Sequence, residues 1–157
     1  MSLKRYVKKV ACVSPRSNII DASREMNTHA VGAVVIISDD GRPIGMLTDR
    51  DIVLRVVAEG RDPQRTPVEE VMTRGAAFLS HDASIQDATE IMRDCGMRRL
   101  PLVDAEGKVD GLVSLDDIVL LLGMELGNVS AALFANLSVG AAPEPLAAPH
   151  PPTERIL

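Results

Sequence analysis

The sequence predicts a mixed α/β (α+β) fold, in which two tandem β-α-β-β-α units form one module with pseudo-twofold symmetry. The main observation is an internal repeat, since Gly45–Ile52 (GMLTDRDI) returns 66 residues later as Gly111–Ile118 (GLVSLDDI). A repeat is stronger evidence for architecture than any single motif. In addition, 46% of residues are hydrophobic but only 2% are aromatic, so the core must be built from aliphatic side chains. The same offset aligns Ile19 with Ile85, Ala22 with Ala88, Met26 with Met92 and Gly41 with Gly107.

The first unit, residues 7–60, contains three predicted strands and two predicted helices. Asn18 is a favourable N-cap, and Asp21 stands three residues further on, as at many helix starts. Residues 39–43 combine Asp, Gly and Pro, which is typical of a turn. Gly60 is the expected stop of the second helix. The predicted elements are strand 11–14, helix 19–29, strand 32–37, strand 44–47 and helix 49–58.

The second unit, residues 61–123, repeats this order after a polar linker and a short helix. We expect Thr66 to cap that short helix, with Pro67 at its first position and Glu69 at its third. Pro101 falls inside a predicted strand, and it requires an edge or an unpaired position because it has no N–H. The predicted elements are strand 77–80, helix 85–95, strand 98–103, strand 109–113 and helix 115–122.

The hydrophobic pattern changes after Gly123. Apolar residues at spacings of two to four predict an amphipathic C-terminal helix over 124–139, which Gly127 and Asn128 could interrupt. We expect its apolar face to pack on the repeats or on a second subunit and not on a membrane, because it has no basic residues. No uninterrupted apolar run approaches the ~18 residues of a membrane span. Residues 140–157 are rich in Ala and Pro and are predicted to be a flexible tail.

Composition narrows the classes of partner. The net charge of −5 argues against a general nucleic-acid binder, which would need a basic surface. Two cysteines, Cys12 and Cys95, do not form a disulfide framework and are predicted to be buried thiols in a reducing compartment. No signal peptide is recognisable, so we expect a cytoplasmic protein.

Each copy of the repeated motif places a hydroxyl and a carboxylate three residues apart where a strand turns into a helix. A helix start attracts phosphate, a carboxylate can accept from the two hydroxyls of a ribose, and arginine offers a planar fork to phosphate. An adenine needs an apolar slot with nearby backbone amides. The candidate binding residues are Thr48, Arg50, Asp51, Arg98, Arg99, Ser114 and Asp117, with Val13, Ser14, Leu79 and Ser80 for the adenine by position.

The duplication, the element order and the Gly-apolar-apolar-Thr/Ser-x-x-Asp turn closely resemble a tandem pair of CBS domains, named after cystathionine β-synthase, over about residues 7–123. The resemblance implies a non-catalytic sensor that needs no cofactor and binds AMP, ADP, ATP, NAD or S-adenosylmethionine between the units. It implies that Thr48 and Ser114 contact phosphate and that Asp51 and Asp117 contact ribose. It places Arg98 and Arg99 at a phosphate-contacting strand, where the first unit has Gly32 and Ala33. It also implies a homodimer, two pairs meeting as a flat disc, and a separate effector protein.

A purely structural interpretation of the same residues stays open. Thr48 with Asp51 and Ser114 with Asp117 are also capping-box patterns, and the chain uses this spacing at Ser84 and Asp87, where no ligand is expected. Arg98 and Arg99 could instead be ordinary strand-end charges, or partners for Asp104 and Glu106. The alternative function is therefore a dimeric scaffold or adaptor that binds no ligand.

No catalytic or metal-binding constellation is recognisable. Ser80, His81 and Asp82 are adjacent in sequence and cannot approach one another as a triad does. The three histidines and two cysteines lack metal-ligand spacing. We therefore expect no enzyme activity and no metal site.

Overall fold

A computed structural model describes residues 8–75 and 77–139 of the chain, and it confirms the mixed α+β fold. The chain divides into two compact bodies, Met1–Leu120 and Leu121–Leu157. The first body contains both repeats as far as Leu120. The predicted flexible tail, residues 140–157, lies outside the described residues.

The first repeat forms a sheet with one buried central strand. β2 has four consecutive buried residues, as its β-branched sequence predicts. The Asn18 side chain caps α1 by accepting from the Asp21 amide at 2.9 Å. The second helix begins as an α-helix and continues as a π-helical turn, which the sequence pattern does not reveal. The elements are β1 (Cys12–Val13), α1 (Ile19–Thr28), β2 (Ala33–Ile37), β3 (Pro43–Thr48), α2 (Asp49–Ile52) and the π-helical turn Val53–Val57.

The segment after Gly60 packs on the first repeat. Its short helix is a 3-10 helix, Val68–Glu70, and β4 (Thr73–Arg74) pairs with β3. The predicted Thr66 cap is wrong, because the Thr66 hydroxyl donates backwards to the carbonyl of Asp62 at 2.8 Å. The boundary between the first and second repeat units, which the sequence places between residues 60 and 61, stays a prediction. Three buried residues of this segment join the first core, namely Val68, Val71 and Met72.

The second repeat forms a three-stranded sheet with the order β5-β6-β7. Ser84 and Asp87 form the predicted capping box at the start of α3, and Gly96 ends that helix in the left-handed conformation at φ 63°. Its elements are β5 (Leu79–Ser80), α3 (Ile85–Cys95), β6 (Arg99–Val103) and β7 (Val109–Ser114).

Pro101 lies in β6, the middle strand of this sheet. The strand accommodates it because no neighbouring strand requires a hydrogen bond from the nitrogen of Pro101, which has no hydrogen. Pro101 stands opposite Leu112 of β7, and the neighbouring bond from the Leu115 amide to the Arg98 carbonyl makes Pro101 a non-hydrogen-bonded position. On the other side β5 pairs only with Leu102 and Val103. The equivalent residue in the first repeat, Val35, donates its N–H to Ala11 at 2.9 Å. The second repeat therefore lacks one ladder bond that the first repeat has.

The two repeats meet through equivalent residues. Met46 and Leu112, which are 66 positions apart, pack in one cluster with Ala33 and Met97. At the turns, the Val109 amide donates to the carbonyl of Gly41 at 3.0 Å. Met46 and Leu112 are equivalent positions in one cluster, as the predicted pseudo-twofold arrangement requires.

α4 is one continuous helix, Leu115–Val139. The expected break between helix 115–122 and helix 124–139 is therefore absent. A glycine costs only about 1 kcal/mol in a helix, which the surrounding Leu, Ala and Met residues offset. By length and composition, Leu115–Leu137 is apolar enough to cross a membrane, with mean hydropathy 1.9. Sequence reasoning missed this property because Gly123, Glu125 and Gly127 interrupt every apolar run.

Candidate functional site

A cleft of about 540 Å³ opens where the first repeat's β3–α2 junction faces the second repeat's α3–β6 junction. Its volume lies within the usual range for small-molecule sites, about 300–1,000 Å³. It gathers five of the predicted binding residues from two distant parts of the chain. The residues that line it are Met46, Thr48, Asp49, Arg50, Asp51, Thr73, Gly96, Met97, Arg98 and Arg99.

Thr48 and Asp51 form a capping box at the start of α2. The Thr48 amide and hydroxyl donate to Asp51 Oδ2 at 3.0 and 2.7 Å, and the Asp51 amide donates to the Thr48 hydroxyl oxygen at 3.1 Å. Arg55 reaches Asp51 Oδ1 at 3.0 Å and is itself held by the Val71 carbonyl at 2.6 Å. Both carboxylate oxygens are thus engaged. An ionised carboxylate has about four lone-pair positions, and three are used here, so Asp51 can still accept about one further hydrogen bond.

The arginines of the cleft differ in their partners. Arg98 donates to Asp116 at 2.8 Å, so the alternative pairing of Arg98 with Asp104 or Glu106 is wrong. Asp104 instead accepts from two turn amides, those of Glu106 and Lys108. Within the described part of the chain, the guanidinium groups of Arg50 and Arg99 make no hydrogen bond or ion pair. Two guanidinium groups without an ion-pair partner, one from each repeat, therefore line the same cleft, together with the carboxylate of Asp49.

The sequence leaves open whether Arg98 and Arg99 lie beside Thr48 or beside Ser114. Arg98 and Arg99 line the cleft that contains Thr48 and Asp51, because the repeats pack face to face through equivalent strands. Sequence reasoning missed Arg55. Its position four residues after Asp51 on a helix is the signal that could have identified it.

The second motif has different surroundings. Ser114 donates to Asp117 Oδ2 at 2.5 Å, and Asp117 Oδ1 forms an ion pair with Lys8, whose backbone bridges to Leu112. Burial raises the pKa of Asp117, but the hydrogen bonds from Lys8 and Ser114 outweigh it, so its pKa lies below the ordinary value. The residues equivalent to Arg98 and Arg99 here are Gly32 and Ala33. The second motif is thus paired within the protein and lacks those guanidinium groups.

The four residues assigned to the adenine are not among those that line the cleft. Val13 is buried in the first core, and Leu79 packs against the second. Ser14 and Ser80 are exposed, and each accepts a hydrogen bond from a backbone amide two residues further on. Their role in binding a base stays a prediction.

The cysteines and histidines show no metal site. Within residues 8–75 and 77–139, no group of three or more His, Cys, Asp or Glu residues could hold a metal ion. His81 contacts Asp110 at 2.8 Å and Asp82 at 3.2 Å. Burial raises the pKa of the half-buried Cys12 thiol. The prediction of a buried thiol is wrong for Cys95, which is exposed because α3 turns it away from the core.

Curated relatives match most of the chain. It is 44% identical over 131 residues to the CBS domain-containing protein YhcV of Bacillus subtilis, a match that covers 83% of this chain and 89% of that one. It is 35% identical over 106 residues to a protein of Methanopyrus kandleri. That match covers 68% of this chain, which spans about half, 54%, of the archaeal protein's length.

Solved structures share the fold. A crystal structure of Hypoxic Response Protein I with two coordinated zinc ions superposes with a TM-score of 0.68 at 32% identity, covering 76% of this chain and 97% of that one. The protein PAE2072 of Pyrobaculum aerophilum, complexed with AMP, superposes with a TM-score of 0.67 at 24% identity, covering 74% and 89%. At that identity the second likeness concerns the fold alone.

A family model described as the CBS domain matches twice, over residues 4–58 and 68–123. The two matches follow the 66-residue repeat, and together they cover more than half of the sequence. This chain therefore belongs to the CBS domain family, as a tandem pair.

Proposed function

We propose that the protein is a non-catalytic, cytoplasmic regulatory module that binds an adenosyl ligand carrying phosphate in the cleft beside Thr48. Occupancy of the cleft would be passed to a separate effector protein. The observation that carries the proposal is the pair of arginines, Arg50 and Arg99, which line this cleft without any partner among the described residues. A phosphate would compensate both charges.

Each cleft residue has a chemical role in this proposal. Arg99 is half-buried, so its planar guanidinium group can offer two parallel N–H donors to phosphate with little side-chain ordering. Asp51 accepts from one ribose hydroxyl with its remaining lone-pair position, and Thr48 keeps that carboxylate in place. Met46 and Met97 supply apolar surface for the base.

The AMP complex of the Pyrobaculum aerophilum protein supports the proposal at the level of the fold, because it is a protein of this fold in complex with AMP. The argument for this chain depends on its own arginines and carboxylate. AMP is the natural first probe, because it is the smallest ligand that presents adenine, ribose and phosphate together.

The second candidate is the ligand-free scaffold, and one observation favours it. Asp51 already caps α2 and pairs with Arg55, so its conformation needs no ligand to explain it. Both candidates include a homodimer. Equivalent positions on the helices of the two repeats expose large apolar side chains, Val53 with Leu54 and Val119 with Leu120, each more than half exposed.

Calorimetry with AMP and adenosine tests the proposal. We expect AMP to bind with about one site per chain, since only the first motif has unpaired arginines. Asp51→Asn removes a charged acceptor for ribose and should weaken both ligands by about 10- to 150-fold. Arg99→Ala should weaken AMP far more than adenosine, because only AMP presents a phosphate to the guanidinium group.

Asp87→Asn is the matched control for Asp51→Asn. Asp87 forms the same capping box with Ser84 at α3 but does not line the cleft. Asp87→Asn should weaken the same kind of cap and leave AMP binding unchanged. If AMP and other adenosyl ligands give no heat with the parent protein, the scaffold function replaces the sensor function. Equal losses for AMP and adenosine in Arg99→Ala would remove that residue from the phosphate role.

A further inference from the structure

α4 leaves one line of apolar side chains exposed after residue 120. Spacings of three and four residues return to the same side of an α-helix, so residues that recur in this way form a single row. Here the exposed fractions of the row range from 51% to 73%. We name this row the α4 stripe, and it consists of Leu122, Leu126, Val129, Leu133 and Leu137.

We propose that the α4 stripe pairs with the α4 stripe of a second copy of this chain, as in a two-stranded coiled coil. The steps from Leu122 to Leu126, Val129 and Leu133 are four, three and four residues, the alternation of a coiled-coil seam. The stripe is about 22 Å long at the rise of an α-helix. A two-fold axis sets the same patch against itself, and an uncharged apolar row is complementary to its own copy.

The side of the helix away from the stripe is apolar too. It carries the short Ala131 and Ala135 beside the exposed Met124 and Phe134. The alternating spacing of four and three residues, and not a difference in polarity between the two sides, therefore marks the stripe as the face that suits a second helix.

Charge favours a second copy over a membrane. Glu125 lies near the middle of the apolar helix Leu115–Leu137, where a bilayer would have to bury its carboxylate. No Lys or Arg occurs between Lys108 and the end of α4, so the helix has no group to attract anionic lipid. Glu125 flanks the stripe and does not lie on it. In a pair of helices its carboxylate stays at the solvent-exposed rim.

Single-cysteine cross-linking in the full chain tests the proposal directly. Cys12 and Cys95 are first replaced by Ser, and then Leu126→Cys or Leu133→Cys is introduced on the stripe. Met124→Cys, exposed on the opposite side of the same helix, is the matched control. A disulfide requires Cα atoms within about 7 Å, so it reports direct apposition of the two helices. Under mild oxidation we expect at least one sample, either stripe variant alone or the two mixed, to cross-link at least ten-fold faster than the control.

Each outcome decides the proposal. A Leu126→Cys chain that cross-links to itself supports a parallel pair, and one that cross-links only to the Leu133→Cys chain supports an antiparallel pair. Rates no higher than that of Met124→Cys, both for each stripe variant alone and for the mixture of the two, would overturn the pairing. A second result would also overturn it. The parent protein would co-sediment with phosphatidylcholine–phosphatidylglycerol vesicles, and the double variant Leu126→Glu with Leu133→Glu would not. In that case lipid would be the occupant of the stripe. The test does not depend on nucleotide binding.

Discussion

At the scale of single residues, the same hydroxyl-carboxylate motif is used in two different environments. Asp51 has Arg55 as its cationic partner and lines a cleft with two unpaired arginines. Asp117 has Lys8 instead, and Gly32 and Ala33 stand where the arginines would be. The motif alone therefore specifies a helix cap, and its neighbours decide whether a ligand can use it.

Asp117→Asn should reduce the free energy of unfolding by about 0.5–1 kcal/mol at pH 7. Because the folded pKa of Asp117 is lowered, its carboxylate stabilises the fold fully above the unfolded pKa of about 3.9. That contribution is lost as pH falls through the lower folded pKa. Denaturant titrations of parent and variant should therefore differ at pH 7, and the difference should shrink as the pH falls below the unfolded pKa and through the folded pKa.

Lys8→Met is the control, since it removes the ion pair but keeps the cap from Ser114. Lys8 is largely exposed, so Lys8→Met should decrease the free energy of unfolding by less than Asp117→Asn does. The decrease should become still smaller at high salt. A stability difference for Asp117→Asn that is the same at pH 3 and pH 7 would contradict the assigned role.

At the scale of elements, two glycines with similarly open surroundings, Gly127 and Gly60, have different backbone conformations. Gly127 lies inside α4, and Gly60 follows the π-helical turn with φ 64°. An added Cβ would meet no atom within 4 Å at either position. Backbone conformation and not space decides what a substitution does, because left-handed φ disfavours every residue with a Cβ.

Gly127→Ala should stabilise α4 by about 1 kcal/mol, because alanine loses less backbone entropy in a helix. Amide hydrogen exchange within residues 121–137 should become roughly five-fold slower. Gly60→Ala should instead destabilise the first repeat by about 1–2 kcal/mol in denaturant titrations. Equal effects of the same sign at the two positions would show that conformation is not the cause.

At the scale of the whole molecule, most of the exposed large apolar residues fall into two groups. One group is on the repeat helices and includes Val53, Leu54, Val119 and Leu120, and the other is the α4 stripe. Large contiguous apolar surfaces are uncommon on monomers. The pseudo-twofold repeat presents the first group at equivalent positions, which suits a symmetric partner.

Light scattering tests the repeat-helix dimer apart from the α4 stripe. With Leu126→Glu and Leu133→Glu in place, we expect about twice the chain mass of 16.8 kDa. Adding Leu54→Glu and Leu120→Glu should then give the mass of one chain, because buried charges oppose association. Phe78→Glu, at an exposed residue of neither group, should leave the dimer intact. A single-chain mass before Leu54 and Leu120 are changed would contradict the repeat-helix dimer.

The sequence by itself determined the repeat, the order of elements within each repeat and the starts of α1 and α3. These features depend on contacts between residues close in sequence, such as Asn18 with Asp21 and Ser84 with Asp87. For the same reason the strand with Pro101 could be predicted to have an unpaired position, because a missing N–H is a property of the residue itself.

Only the tertiary structure decided which side chains share a cleft. Arg99 is 48 residues from Asp51, and it lines the same cleft because the repeats pack through Met46 and Leu112. The Lys8 partner of Asp117 and the packing of Val68 on the first core are likewise long-range contacts. Local sequence sets backbone conformation through short-range hydrogen bonds, whereas apposition across the pseudo-twofold axis depends on how whole apolar faces fit together.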